Sequence, residues 1–299
     1  MKYPGLSDFV GLFLFPGLAA VLPWRFCFRV FHRLVGMDFL YRVETEVALA
    51  GVACIAPPVD KVAWSKANRL VWLVDHADLY LSRFRSDAWL HRNVTVTGDW
   101  PVEGNFIAIT FHWGAGMWAL RHMRAQGKKV SVLVKGVERA SFSGTLLRYV
   151  YGKLRLLVTA QAGGDRLTMT GSKSLYDMKH KLKRGGCVVG LLDVPVDSPR
   201  NALATQFLGR EAYFPRGLLF LAVNSGVPVV LYSMELDRRT GHRHLSISDP
   251  LEAHSEQALL DTLAGRLTEL VGQDSPAWHH WGGAQRFFQK GIPKTTDAS

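Results

Sequence analysis

The chain reads as an α/β protein, a layered sandwich with a largely parallel central sheet, preceded by N-terminal helices that associate with a membrane. Three observations carry this. Short apolar runs alternate with amphipathic stretches from about residue 93 onward, which is the pattern of strands joined by crossover helices. The first ninety residues lack that alternation and read as helical. The whole chain of 299 residues is 48% hydrophobic, enough to bury one large core.

Along the chain, 9–24 is an uncharged run broken by Pro16, Gly17 and Pro23, short of the ~20 residues of a spanning helix. No signal-peptidase-like site follows a basic start there. Arg25, Arg29 and Arg33 then recur every fourth residue, forming a basic stripe beside an apolar one of Phe26, Val30 and Leu34. Two readings fit that pattern. One is an interfacial helix with arginines at anionic lipid phosphates, and the other is an amphipathic helix packed on its own domain. After a break at Pro57-Pro58, a helix is expected from Asp60 to His76 or beyond. Strands are expected at 94–97, 106–111, 130–134, 187–192, 227–232 and 244–248. The expected helices are 114–126, 141–151, 172–184, 215–224 and 255–271. The boundaries are thus 1–90 for the membrane-associating helical segment, 91–290 for the α/β domain, and 291–299 for a disordered tail.

Composition narrows the partners. Net charge is +11 with a pI near 9.7, which favours anionic surfaces or ligands. Mean hydropathy is +0.05, high for a freely soluble enzyme. The basic residues are dispersed and no zinc-finger or RNP-type motif accompanies them, so nucleic acid is not expected as a partner. Cys27, Cys54 and Cys187 are scattered, which suggests a reducing compartment and neither a disulfide framework nor a metal site.

In parallel sheets chemistry gathers beyond the carboxyl ends of the strands. His112 closes the apolar run 106–111 and opens a glycine-rich turn into a helix. Imidazole placed there can act as general base close to free backbone N–H groups, or it can simply hydrogen-bond locally. Asp193 ends the run 187–192 and can orient that base, bind substrate or cap its loop, while Asp197 reads as surface. Lys135, Arg139 and Arg148 follow the strand at 130–134. They suit a substrate phosphate, although solvated helix faces have the same composition.

These segments resemble the glycerolipid acyltransferase superfamily, in particular the lipid A late acyltransferases. His-Trp-Gly-Ala-Gly-Met at 112–117 is similar to that family's H-x4-D/E block, and Gly-Leu-Leu-Asp-Val-Pro at 190–195 stands at its strand-end acidic block. The stretches 207–217 (FLGREAYFPRG), 221–230 (LAVNSGVPVV), 244–251 (HLSISDPL) and 276–281 (PAWHHW) follow in the same order. Together they span residues 90 to 285. The resemblance implies acyl transfer from an acyl-carrier-protein or CoA thioester to a hydroxyl or amine of a membrane lipid, with no metal or other cofactor. It implies His112 as general base, with Trp113 and Arg155 joining Lys135 and Arg139 at the substrate. It also implies a place at the cytoplasmic face of a bacterial inner membrane. One position departs from the pattern. Met117 occupies the place of the family's acid, so Asp193 becomes the candidate partner of His112, and a non-catalytic lipid-binding relative is the competing implication.

Overall fold

A computed structural model describes residues 4–114, 117–139, 146–196 and 198–288. The N-terminal region is helical, with α1 (Pro4–Asp8), a π-helical turn (Phe9–Leu14), α2 (Phe15–Val21), α3 (Trp24–Leu34), α4 (Arg42–Ala53), α5 (Lys61–Phe84) and α6 (Asp87–Asn93). The π turn has a sequence cause. Pro16 has no N–H to give to the preceding turn, so carbonyls there are left over. Tyr80 Oη donates to Leu12 O at 2.8 Å and Tyr41 Oη to Gly11 O at 2.5 Å, which fastens the first helices to the rest. Asp60 caps α5 by accepting from the backbone N–H groups of Val62 and Ala63.

The α/β part follows as β1 (Val94–Thr97), β2 (Ile107–Thr110), α7 (Met117–Ala125), β3 (Val130–Val134), α8 (Leu146–Gly163), β4 (Thr168–Met169), α9 (Ser174–Lys183), β5 (Cys187–Leu191), β6 (Ala202–Phe207), β7 (Arg210–Pro215), α10 (Gly217–Ser225), β8 (Val229–Leu236), β9 (Arg243–Ile247) and α11 (Glu256–Gln273). Seven strands form one sheet in the order β1-β9-β8-β2-β5-β3-β4. The five strands from β8 to β4 are mutually parallel, and β9 turns back antiparallel to β8 with β1 parallel to it. Every residue of β2 is buried, because helices cover both faces of the sheet. One face, with Phe106, Ala108, Val189 and Tyr232, packs on α5, α7 and α8, and Trp24 and Phe31 of α3 share that core. The other face, with Ile107, Ile109, Val188 and Leu231, packs on α9, α10 and α11.

The expected strands and helices are found, within a few residues at their ends, wherever those residues are described. The helix expected at 141–151 begins at Leu146 among the described residues and runs on to Gly163. The tail 291–299 lies outside them, as does Asp197. The β6–β7 hairpin is an addition to the expected elements. It turns through Leu208 and Gly209, both at positive φ (50° and 76°).

The helical segment ahead of residue 90 shares its apolar core with the sheet. In α3 the arginines Arg25, Arg29 and Arg33 face solvent, while Trp24, Cys27, Phe28, Phe31 and Leu34 are buried within the protein. The expected apolar stripe is therefore split, with Leu34 inside and Phe26 54% exposed. Among the described residues no helix is long and apolar enough to cross a membrane.

Candidate active site

The sheet register alone brings His112 and Asp193 together. Thr110 of β2 pairs with Leu191 of β5, so the residues two positions further along emerge side by side at the carboxyl edge. The backbone N–H of His112 donates to both oxygens of Asp193 at 2.9 Å, and His112 Nδ1 lies 3.0 Å from Asp193 Oδ1. Asp193 is wholly buried, whereas the His112 side chain is 35% exposed. The carboxylate is thus enclosed and the imidazole reaches the surface.

A third strand-like contact completes the cluster. Trp113 and Trp278 form an antiparallel bridge, with Gly114 N donating to Ala277 O (3.1 Å) and His279 N to His112 O (2.9 Å). Gly114 makes this possible, since it adopts φ +56° and a Cβ there would lie 2.2 Å from Met234 O. The clamp places Trp278 so that its indole N–H donates to Asp193 Oδ2 at 2.8 Å. It also sets His280 Nε2 at 2.8 Å from His112 Nδ1, with the two rings edge to face at 4.1 Å.

Electrostatics fix the proton positions. Burial raises the Asp193 carboxyl, but the charge and hydrogen bond of His112, with His280 and Trp278, outweigh it and hold the group below the ordinary carboxylate range. Asp193 is therefore ionised at neutral pH and can only accept, so the hydrogen of this contact sits on His112 Nδ1 and the neutral tautomer of the ring has its lone pair on Nε2. Burial, reinforced by His112, pushes His280 down to about 4, which leaves it neutral. His279 is also lowered, chiefly by burial, and its Nε2 lies 2.9 Å from Gly114 O.

His112, Asp193 and His280 offer three ligand atoms within 4.8 Å of one another, a donor set that suits Zn²⁺. In the arrangement described, His112 Nδ1 and Asp193 Oδ1 are engaged with each other at 3.0 Å.

The other residues singled out from the sequence fall in different places. Lys135 follows β3, the neighbour of β5, and is exposed at the same carboxyl edge, with Arg139 exposed in the loop beyond. Arg155 does not reach that edge as a free cation, because Asp75 holds its guanidinium in a bidentate pair at 2.8 and 2.9 Å. Arg148 is paired with Asp8 at 2.7 Å and Glu44 at 2.9 Å. Trp113 is not a substrate wall either. Its side chain is buried in the apolar core beneath the sheet. Met117 is buried at the start of α7. The backbone N–H groups of 112, 113 and 114, ahead of the helix, donate to Asp193, Phe111 O and Ala277 O. Free donors would have to come from the first turn of α7.

Trp278, His279 and His280 have no role that the sequence alone assigns. The signal in it is a pair of histidines flanked by tryptophans, which is distinctive but says nothing of a partner 168 residues away. No protein-family model matches the chain, and no curated protein matches it in sequence.

Proposed function

We propose that the protein is an acyltransferase that moves an acyl group from an acyl-carrier-protein or CoA thioester to a hydroxyl or amine of a membrane lipid, as in late acylation of lipid A. The observation that carries this reading is the half-exposed His112 imidazole held by the buried Asp193 carboxylate at the carboxyl edge of a parallel sheet. Nε2 of His112 takes the proton from the acceptor hydroxyl or amine as its oxygen or nitrogen attacks the thioester carbonyl carbon. When the tetrahedral intermediate collapses, the new C–O or C–N bond is kept and the C–S bond breaks. The imidazolium then returns its proton to the departing sulfur. Asp193 stabilises that imidazolium and keeps Nδ1 protonated, the part taken elsewhere by an acid five residues after the histidine.

Lys135 and Arg139, exposed beside this edge, are suited to a phosphate of donor or acceptor. Arg25, Arg29 and Arg33 with the exposed Phe26 suit peripheral contact with an anionic bilayer. The test is chemical. Lipids from a deletion strain, compared by mass spectrometry with the parent, should lack one acyl chain on one species, and plasmid-borne His112→Ala should not restore it. Full restoration by His112→Ala would leave the non-catalytic lipid-binding reading standing.

A further inference from the structure

A second charged cavity lies away from His112. It has a volume of about 250 Å³ and is lined by Ser82, Arg83, Arg85, Arg121, Arg124 and Gln161, with two small apolar neighbours and no carboxylate among the described lining residues. Arg121 and Arg124 sit toward the C-terminal end of α7, whose N-terminal end adjoins the His112 loop. At 1.5 Å per residue, Arg124 lies about 10 Å along the helix axis from Met117. The cavity therefore opens at the far end of this helix layer from the candidate reaction centre.

Four guanidiniums around one opening would repel each other unless something absorbs the charge, and the protein absorbs only part of it. Arg121 is the best satisfied, donating to Ser82 O (3.1 Å) and Arg85 O (2.8 Å) and pairing with Asp87. Arg85 donates through Nη2 to Ala19 O and Leu22 O at the end of α2, leaving its buried Nε without a partner among the described residues. Ser82 Oγ is likewise buried and unpartnered among them. Arg124 donates to Gln161 O, a neutral carbonyl. Arg83 is exposed and stacks on the Phe84 ring at 5.7 Å, a contact that supplies no negative charge. Among the described residues, one carboxylate thus answers four cations.

We propose that this arginine cavity is a binding site for a phosphate ester, separate from the candidate reaction centre. Guanidinium forks match phosphate oxygens, and convergent arginines suit a tetrahedral anion better than a single planar carboxylate. Exposed apolar residues next to Arg85 in the chain and next to its carbonyl partners favour a phosphate carried by a lipid headgroup. Phe84 beside Arg85 is 61% exposed, and Val21, flanked by the two carbonyl-bearing turns that Arg85 holds, is 75% exposed. A soluble phosphate ester would make the same polar contacts without needing those exposed apolar side chains.

The full-length protein tests this with two probes, inorganic phosphate followed by calorimetry and vesicles of phosphatidylcholine with or without phosphatidic acid followed by flotation. The variant is Arg83→Gln with Arg124→Gln, both exposed side chains outside the candidate reaction centre. Wild type is expected to bind, and the variant to lose tenfold or more in affinity with little change in melting temperature. His112→Ala should bind as wild type does, so a failed acyltransferase reading leaves this result intact. Binding of phosphatidic acid vesicles alone, weakened in the double variant, assigns the site to a lipid headgroup, and variant-sensitive binding of free phosphate alone assigns it to a soluble ester. If the double variant melts early, Arg83→Glu alone reads the same loss. No binding by wild type to either probe, or equal binding by the variants, overturns the proposal.

Discussion

Asp193 and Asp78 are both sealed from solvent, yet their carboxyl groups move in opposite directions. Asp193 meets four N–H approaches, two from one backbone amide, one from His112 Nδ1 and one from the Trp278 indole. Among the described residues Asp78 has one cation, Arg243, whose guanidinium is itself wholly buried between the rings of Trp24 (4.6 Å) and Trp118 (6.0 Å), with the Trp118 indole adding a lesser hydrogen-bond contribution. Burial raises Asp78 to about 6 despite Arg243, while the donors around Asp193 overcome the same burial and lower it. The difference lies in donor number and placement. Asp78 joins the N-terminal helices to β9 as a structural tie, and Asp193 stays ionised beside an accessible imidazole, which is what an orienting acid requires.

The largest expected effect breaks the structural half of that contrast. Arg243→Met leaves Asp78 buried without its cation and should cost about 3–5 kcal/mol in chemical denaturation. Adding Asp78→Asn should recover much of it. Failure of the double variant to regain stability would show that the packing of Arg243 between its tryptophans, rather than charge, dominates.

Next comes the half proposed to be catalytic. His112→Ala should lower acyl transfer about 10²-fold or more, and Asp193→Asn should approach that loss. The double variant should be scarcely worse than either single one, as for groups acting as one unit. Independent, multiplying losses measured by steady-state kinetics would separate the two residues.

Met117→Glu sharpens the comparison further, because it returns an acid to the helix position while Asp193 already serves His112. A buried, unpaired carboxyl there should destabilise the protein by roughly 1–3 kcal/mol and should not raise the rate. A gain in kcat would mean that Asp193 only caps its loop.

The smallest effect is a pH slope. A carboxyl raised from about 3.8 to about 6 on folding binds more protons in the folded state than in the unfolded one across that window. Its contribution to stability therefore falls as pH rises from about 4 to about 6. Denaturation of wild type against Asp78→Asn should show this falling difference. Asp193, lowered on folding, has the opposite sign, and its contribution is lost only as pH falls below the ordinary carboxylate range.

The sequence by itself determined the α/β layering and pointed to the two central residues of the candidate site. Buried strands such as 106–111 are continuous apolar runs because helices cover both faces, and each such run ends on a polar residue, so His112 and Asp193 stand out without any knowledge of their contact. The β6–β7 hairpin escaped because 202–207 is poor in β-branched residues and its turn is Leu-Gly rather than Asn-Gly. Arginine spacing correctly placed Arg25, Arg29 and Arg33 on one exposed face of α3, but periodicity cannot say whether the opposite face meets lipid or protein. Only tertiary structure decided that. It also decided that Arg155 belongs to Asp75, that Trp113 is core, and that the C-terminal His280 meets His112. Those outcomes depend on sheet register and on a clamp between segments more than 160 residues apart, and local patterns carry no information at that range.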